Sequence, residues 1–222
     1  MGKIEVLPAG ESALLLDFSS YQTHESRSAT TSRIHRLVSI LDQETNSPIR
    51  ELTPSYTALL VEFDSETTNA ADIEQHLRFC SEKIGEIQLP PRPSYEIPVA
   101  YGGAYGPDLG WVADYLRMSV SQVVELHCSV SFSVSFYGFR PGFAYLDGWP
   151  AANSLPRLEA PRPAVPKGSV ALAGTQCGIY PSLSPGGWRL IGQTPLSVFV
   201  PGNQSFCRWE LGSTLRFYPV RP

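Results

Sequence analysis

The sequence predicts an α+β domain of ferredoxin-like outline followed by a mainly-β domain, and three observations carry that expectation. Apolar spacing in the first ninety residues switches between the helical and the strand period. Three prolines within four residues, Pro90-Pro91-Arg92-Pro93, then interrupt the chain. Beyond them short strand-like runs recur between glycine and proline turns, and nine of the eighteen glycines fall between Gly138 and Gly192.

In the first half, Ala13–Phe18 holds the apolar run Ala13-Leu14-Leu15-Leu16 of a buried strand, with a further strand possible at Lys3–Leu7. Ile34, Leu37, Val38 and Leu41 lie at i, i+3, i+4 and i+7, which makes one apolar stripe on a helix. Ile49–Leu52 reads as a strand that stops at a Thr53-Pro54-Ser55 turn. Thr57–Phe63 is the strongest strand of this half. Asn69 caps a second helix whose apolar face is Ile73, Leu77, Cys80 and Ile84. Strand, helix, strand, strand, helix fits a small antiparallel sheet with helices on one face. His24, His35 and His76 have no companion at metal-ligand spacing, so this half reads as scaffold. The proline run cannot continue a helix or a central strand and sets the domain boundary, giving 1–90 and 91–222.

In the second half, Tyr95–Val99, Ser129–Phe136, Ser169–Ala173, Trp188–Ile191, Leu196–Val200 and Thr214–Tyr218 have strand character. Ser129–Phe136 alternates, with Val130, Phe132, Val134 and Phe136 on one face and serines on the other. Pro107 suits a first helical position ahead of the stripe Leu109, Val112, Ala113 and Leu116. Ser119 with Gln122 forms a capping box for a short helix ending near His127. Many short strands with such turns predict a barrel or a sandwich.

Composition narrows the function. A chain of 222 residues with 42% hydrophobic and 17% charged residues is globular in type. A net charge of −4, with lysines and arginines scattered singly, provides no track for a nucleic-acid backbone. No apolar stretch approaches the roughly 18 residues that span a bilayer. The N-terminus lacks the basic-then-apolar order of a signal peptide, so a cytoplasmic location is expected. Cys80, Cys128, Cys177 and Cys207 are widely separated and read as free thiols rather than as a disulfide framework or a metal knuckle, and no metal centre is expected.

Three segments are unusual for plain turns: Tyr137–Leu146, with aromatic residues at 137, 139, 143 and 145; Pro161–Ser169; and Ala173–Pro181 with Ser184–Trp188. Their glycines let main-chain N–H groups approach a ligand, and their prolines lower the entropy of ordering. Gln176 offers a donor and an acceptor, Tyr180 a hydroxyl, Arg140 and Lys167 positive charge, and His127 a titratable nitrogen. Such a set suits a small polar molecule with an amide and a carboxylate. The plainer reading is that an all-β domain needs glycine and proline in its turns anyway. Lys167-Gly168-Ser169 lacks the upstream glycine of a phosphate loop, and no GxGxxG or GxSxG occurs. Cys177 with His127 as base makes a nucleophile pair on paper, but a cysteine in a turn is more often simply small.

The motifs Gly138–Leu146, Val165–Val170, Gly174–Pro181, Ser184–Trp188, Leu190-Ile191-Gly192 and Thr194-Pro195, with Gly106–Leu109 and His127, resemble the B-type subunits of bacterial 5-oxoprolinase. That family is also called allophanate hydrolase subunit 1, or the sporulation-kinase inhibitor (KipI-like) family. The resemblance implies a ferredoxin-like domain joined to a cyclophilin-like β-barrel. It also implies partnership with a homologous, barrel-like C-type subunit and with an A-type subunit in ATP-dependent hydrolysis of 5-oxoproline to glutamate. ATP is then expected with or on the partner, with no intrinsic metal or organic cofactor. On this footing His127, Gln176 and Tyr180 are the catalytic candidates. Arg140, Pro141, Gly142, Phe143, Lys167, Gly168, Ser184, Gly186 and Gly187 are the substrate-binding ones. Two positions depart from the family's pattern: Cys177 stands where threonine is usual, and Gln193 where arginine is usual. Rival readings are a regulator that binds and inhibits a sensor histidine kinase, a component of an allophanate- or urea-type small-amide enzyme, and, by fold analogy alone, a prolyl isomerase.

Overall fold

The computed structural model describes residues 2–89, 91–199 and 207–221. The chain forms two compact units, Met1–Pro91 and Arg92–Pro222.

The first unit is a four-stranded antiparallel sheet in the order β1-β2-β4-β3, built from β1 (Glu5–Pro8), β2 (Ala13–Asp17), β3 (Ile49–Pro54) and β4 (Ala58–Phe63). Leu14 and Leu16 pair with Val61 and Leu59, and these four, with Phe63, form the buried face. Helices α1 (Arg27–Leu41) and α2 (Ala70–Glu82) contribute Ile34, Leu37, Leu41, Ile73 and Leu77 to the same core. Ser26 caps α1 through the Ala29 N–H, and Asn69 caps α2 through the Asp72 N–H. The expected turn at Thr53-Pro54-Ser55 is corrected: β3 continues through Pro54, and the chain reverses at Ser55–Thr57. β3 is an edge strand of this sheet, where a missing proline N–H breaks no ladder bond.

The reading of His76 as lacking a companion is also corrected. Glu44, just beyond α1, places Oε2 2.9 Å from His76 Nε2, and Cys80, one turn along α2, places Sγ 3.6 Å from the same nitrogen. Glu44 lies 32 residues from His76, so no local spacing rule could have paired them.

The second unit is a closed seven-stranded barrel. Its strands are β5 (Ser94–Tyr101), β6 (Phe132–Tyr137), β7 (Ala144–Asp147), β9 (Ser169–Ala173), β10 (Gln176–Ile179), β12 (Arg189–Gln193) and β13 (Thr214–Pro219). Around the barrel they run β10-β7-β6-β13-β5-β12-β9, and the antiparallel β9–β10 hairpin closes the ring. One neighbouring pair, β5 and β13, is parallel. A separate two-stranded ribbon joins β8 (Arg162–Val165) to β11 (Ser184–Gly186). Helices α3 (Leu109–Leu116) and α4 (Val120–Ser129) add Leu109, Val112 and Val123 to the barrel core of Ile97, Val99, Phe132, Val134, Leu172 and Leu215.

Several expected boundaries shift for physical reasons. The Ser119–Gln122 capping box is present, but α4 runs through Ser129 and takes the first residues of the expected strand, so β6 begins at Phe132. Pro107 lies one residue before the N-cap rather than at the first helical position. That N-cap, Asp108, makes no capping bond to α3, because its carboxylate is committed to Arg162 and to the Leu190 N–H. Arg162–Val165, Gln176–Ile179 and Ser184–Gly186, expected as loop platform, are strands. Leu196–Phe199 is irregular instead of a strand, and Val200 lies outside the described residues.

Candidate functional site

At the barrel end where β9 begins and β12 finishes, the chain encloses a cavity of about 610 Å³, within the size range of small-molecule sites. Lys167, Gln193, Thr194, Leu196, Tyr105 and Arg221 are among its lining residues. The β12–β9 register, Gln193 opposite Ser169, brings the β12 exit beside the Pro166–Gly168 turn. Gln193 Nε2 donates to the Lys167 carbonyl at 2.6 Å, and Lys167 Nζ donates to Ser197 Oγ at 3.1 Å. Thr194 N donates to the Gly168 carbonyl at 2.9 Å, while Gly168 N donates to the Tyr180 carbonyl at 2.7 Å. Gly168 has φ +81°, and a Cβ built on it would lie 2.3 Å from the Thr194 carbonyl oxygen. Only glycine fits this wall. The cavity therefore carries two cationic side chains, a side-chain amide, two hydroxyls and an apolar flank.

Of the sequence-predicted residues, Lys167 lines this cavity and Gly168 builds its wall. Of the aromatic residues of the first motif, Phe139, Phe143 and Tyr145 pack on one another, while the Tyr137 hydroxyl donates to the Trp209 carbonyl. Phe143, Tyr180 and Trp188 are buried together, with ring centroids 5.6 Å apart for Phe143–Tyr180 and 5.7 Å for Phe143–Trp188. Burial pushes the Tyr180 phenol up. A Cβ on Gly186 would meet the Tyr180 hydroxyl, so this glycine admits the ring edge. Gly187 has nothing closer than 3.7 Å to such a Cβ, and Ser184 Oγ is buried without a hydrogen-bond partner. Pro141 and Arg140 are exposed in the β6–β7 loop, where Phe139 takes φ +66° and Arg140 lies over its ring at 5.9 Å. Gly142 is packed on Phe199 and Pro181.

Gln176 is not brought to the cavity. It pairs with Ala173 and Asp147 at the far end of β9, about 13 Å along the strand from Ser169 at roughly 3.3 Å per residue. The lining residues that the sequence does not single out are Tyr105, Thr194 and Arg221. Thr194 lies inside the Thr194-Pro195 motif, which is its one signal; Tyr105 and Arg221 carry none.

His127 is fully buried on α4. Its Nδ1 lies 2.7 Å from the Tyr101 hydroxyl and its Nε2 3.5 Å from Cys177 Sγ. Phe217, Phe132, Tyr101 and Trp149 surround the ring, the nearest centroid at 4.5 Å. Burial pushes the imidazole down to about 3 and pushes the Cys177 thiol up. Both shifts disfavour charge, so imidazole and thiol meet as a neutral pair and not as the thiolate–imidazolium pair of a cysteine nucleophile.

A pH dependence follows. The unfolded imidazole titrates near 6.5, so between about pH 6.5 and 3 the unfolded state binds one more proton at this site than the folded state. Its contribution to stability is complete above pH 6.5 and is lost on acidification, by up to about 1.4 kcal/mol per pH unit. Urea denaturation from pH 7 to 4 should show this slope in the wild type and a shallower one in His127→Gln. Equal slopes would remove His127 as the source.

The comparisons with known proteins agree with this architecture. A family described as carboxyltransferase domain, subdomain C and D, matches residues 4–209. A protein of Escherichia coli O157:H7, named as the B subunit of 5-oxoprolinase, is 40% identical over 96% of this chain and 94% of its own. One of the same name from Bacillus subtilis is 32% identical over 98% and 93%. Among solved structures, a conserved uncharacterized protein from Pyrococcus horikoshii is 39% identical over 98% of both chains, with a TM-score of 0.56. The Kluyveromyces lactis urea carboxylase covers 99% of this chain with 22% of its own, at 20% identity and TM-score 0.74, a likeness of fold. On the family match and the curated relatives, the chain belongs to the family of 5-oxoprolinase B subunits.

Proposed function

We propose that this chain works within an ATP-dependent 5-oxoprolinase, together with one A-type and one C-type partner, and that the cavity beside Lys167 and Gln193 takes the lactam. The observation that carries the reading is the donor set of that cavity. Lys167 and Arg221 supply positive charge for the carboxylate of 5-oxoproline, and Gln193 an amide to match the ring amide. Tyr105 and Thr194 add hydroxyls, and Leu196 an apolar wall for the ring methylenes. ATP is assigned to a partner chain, because Lys167-Gly168-Ser169 leads into β9 and not into a helix N-terminus that could hold phosphate. The names of the curated relatives and the family membership support a place for the chain in a 5-oxoprolinase. At the level of fold, the sheet order of the first unit supports a ferredoxin-like layout whose edge strand β1 precedes the βαββα core, and the second unit reads as a cyclophilin-like barrel.

The test is ATP-dependent glutamate release by the enzyme reconstituted from its three kinds of chain. Omitting this chain should abolish the release; unchanged release would end the reading. Lys167→Met should lower kcat/KM for 5-oxoproline by about 10–100-fold, the loss of one charge-assisted hydrogen bond, with the fold retained. Unaltered kcat/KM would move the lactam out of this cavity.

A further inference from the structure

The first unit holds a cluster that the proposed activity does not use. His76 and Cys80 lie four residues apart on one face of α2, and Glu44 reaches them from the turn after α1, where its N–H donates to the Leu41 carbonyl at 3.2 Å. His76 Nε2, Cys80 Sγ and a Glu44 carboxylate oxygen all lie within 4.8 Å of one another. The individual separations are 2.9 Å for Nε2 to Oε2, 3.6 Å for Sγ to Nε2 and 3.7 Å for Sγ to Oε1.

We propose that Glu44, His76 and Cys80 form a three-ligand site for Zn²⁺ that ties the turn after α1 to α2. The geometry points to this ion. Tetrahedral zinc bonds of about 2.3 Å to sulfur and about 2.0–2.1 Å to nitrogen and oxygen set ligand edges of about 3.5 Å for S···N and S···O and about 3.3 Å for N···O. The S···N edge matches, while His76 faces one Glu44 oxygen and Cys80 the other, so a single-oxygen ligand needs the carboxylate to turn between them. A thiolate, an imidazole and a carboxylate select zinc over magnesium or calcium, which take oxygen ligands. The side chains of Glu44 and His76 are 30% and 35% exposed while Cys80 is buried, so the fourth position of the tetrahedron opens to solvent and takes water. Binding replaces the thiol proton of Cys80, which leaves to solvent, and each ligand donates one lone pair with no redox change. Lys83 is close enough to act electrostatically on Cys80, and its ammonium lies 3.9 Å over the Phe79 ring.

The full-length chain, stripped of metal by a chelator and dialysed, should take up one equivalent of Zn²⁺ in competition with a chromophoric chelator. Co²⁺ in its place should show the visible bands of a tetrahedral site and a near-ultraviolet thiolate-to-cobalt charge-transfer band. Cys80→Ser should lose the charge-transfer band. His76→Gln, a half-exposed change that spares the core, should weaken Zn²⁺ binding by about 100-fold or more, given that even outer-shell changes weaken metal sites by about 10–100-fold. Zn²⁺ should also raise the thermal midpoint of the wild type and leave that of His76→Gln unchanged. No uptake by the wild type overturns the proposal. So does equal affinity in wild type, His76→Gln and Cys80→Ser, which would place any bound ion on other groups.

Discussion

Gly168→Ala is expected to destabilise the chain by about 3 kcal/mol or more, lowering the thermal midpoint by roughly 6–12 °C. Two effects add. At φ +81° an alanine carries the left-handed penalty of about 1–2 kcal/mol. Its Cβ would also sit 2.3 Å from the Thr194 carbonyl oxygen, which is backbone and cannot swing aside. The main-chain bonds from Gly168 to Tyr180 and from Thr194 to Gly168 hold both sides of the contact, so relief requires β9 and β12 to part at the cavity. The reconstituted enzyme should accordingly lose activity along with stability. Gly187→Ala is the matched control, since its Cβ would find nothing closer than 3.7 Å. Thermal denaturation of the two variants side by side decides the matter. A Gly168→Ala protein as stable as Gly187→Ala would mean that the turn is not built as described.

Asp108→Ala should cost about 3 kcal/mol, at the lower end of the values for breaking a buried ion pair because Arg162 keeps partial contact with water. One carboxylate oxygen accepts from Arg162 Nη2 at 2.7 Å. The other accepts from Arg162 Nη1 at 2.9 Å and from the Leu190 N–H at 2.7 Å. Truncation leaves a main-chain donor inside the barrel wall and a guanidinium without its counter-charge, and both losses carry a desolvation penalty. The Asp108 N–H donates in turn to the Leu190 carbonyl, so the start of α3 and strand β12 are locked by one residue from both sides. Asp108→Asn keeps an acceptor for Leu190 and should fall between wild type and alanine. Arg162→Met should also destabilise, since it leaves the more buried Asp108 carboxylate with the Leu190 N–H as its remaining named partner. Urea denaturation of the three variants provides the comparison. A loss below about 1 kcal/mol in Asp108→Ala would show the bonds to be dispensable.

Gly168 and Arg162 also mark how much of the fold is legible in the sequence. Both belong to unusual glycine- and proline-rich segments, and of the two only Gly168 reads there as ligand-facing. Gly168 does build the cavity wall. Arg162 instead pairs with Asp108, 54 residues earlier, and serves the fold. The candidate site is visible as a stretch of chain but not as a set of side chains. Its lining draws on Tyr105, Lys167, Gln193 and Arg221, which come together only when β5, β9, β12 and β13 close the barrel. Phe143 and Tyr145 of the first unusual segment pack against Tyr180 and Trp188, because an apolar ring gains more from a buried partner than from a polar cavity.

What the sequence determined by itself is what short-range physics controls. The stripes on α1 and α2, the Asn69 cap, the Ser119–Gln122 capping box and the buried runs of β2 and β4 follow from side-chain period and local hydrogen bonding within a few residues. Only the tertiary structure decided the long-range partners. These are the parallel pairing of β5 with β13 across the second unit, the neutral contact of His127 with Cys177, the Glu44–His76–Cys80 cluster and the cavity beside Gln193. Periodicity names the face that a residue buries, whereas chain closure chooses the residue that it meets there.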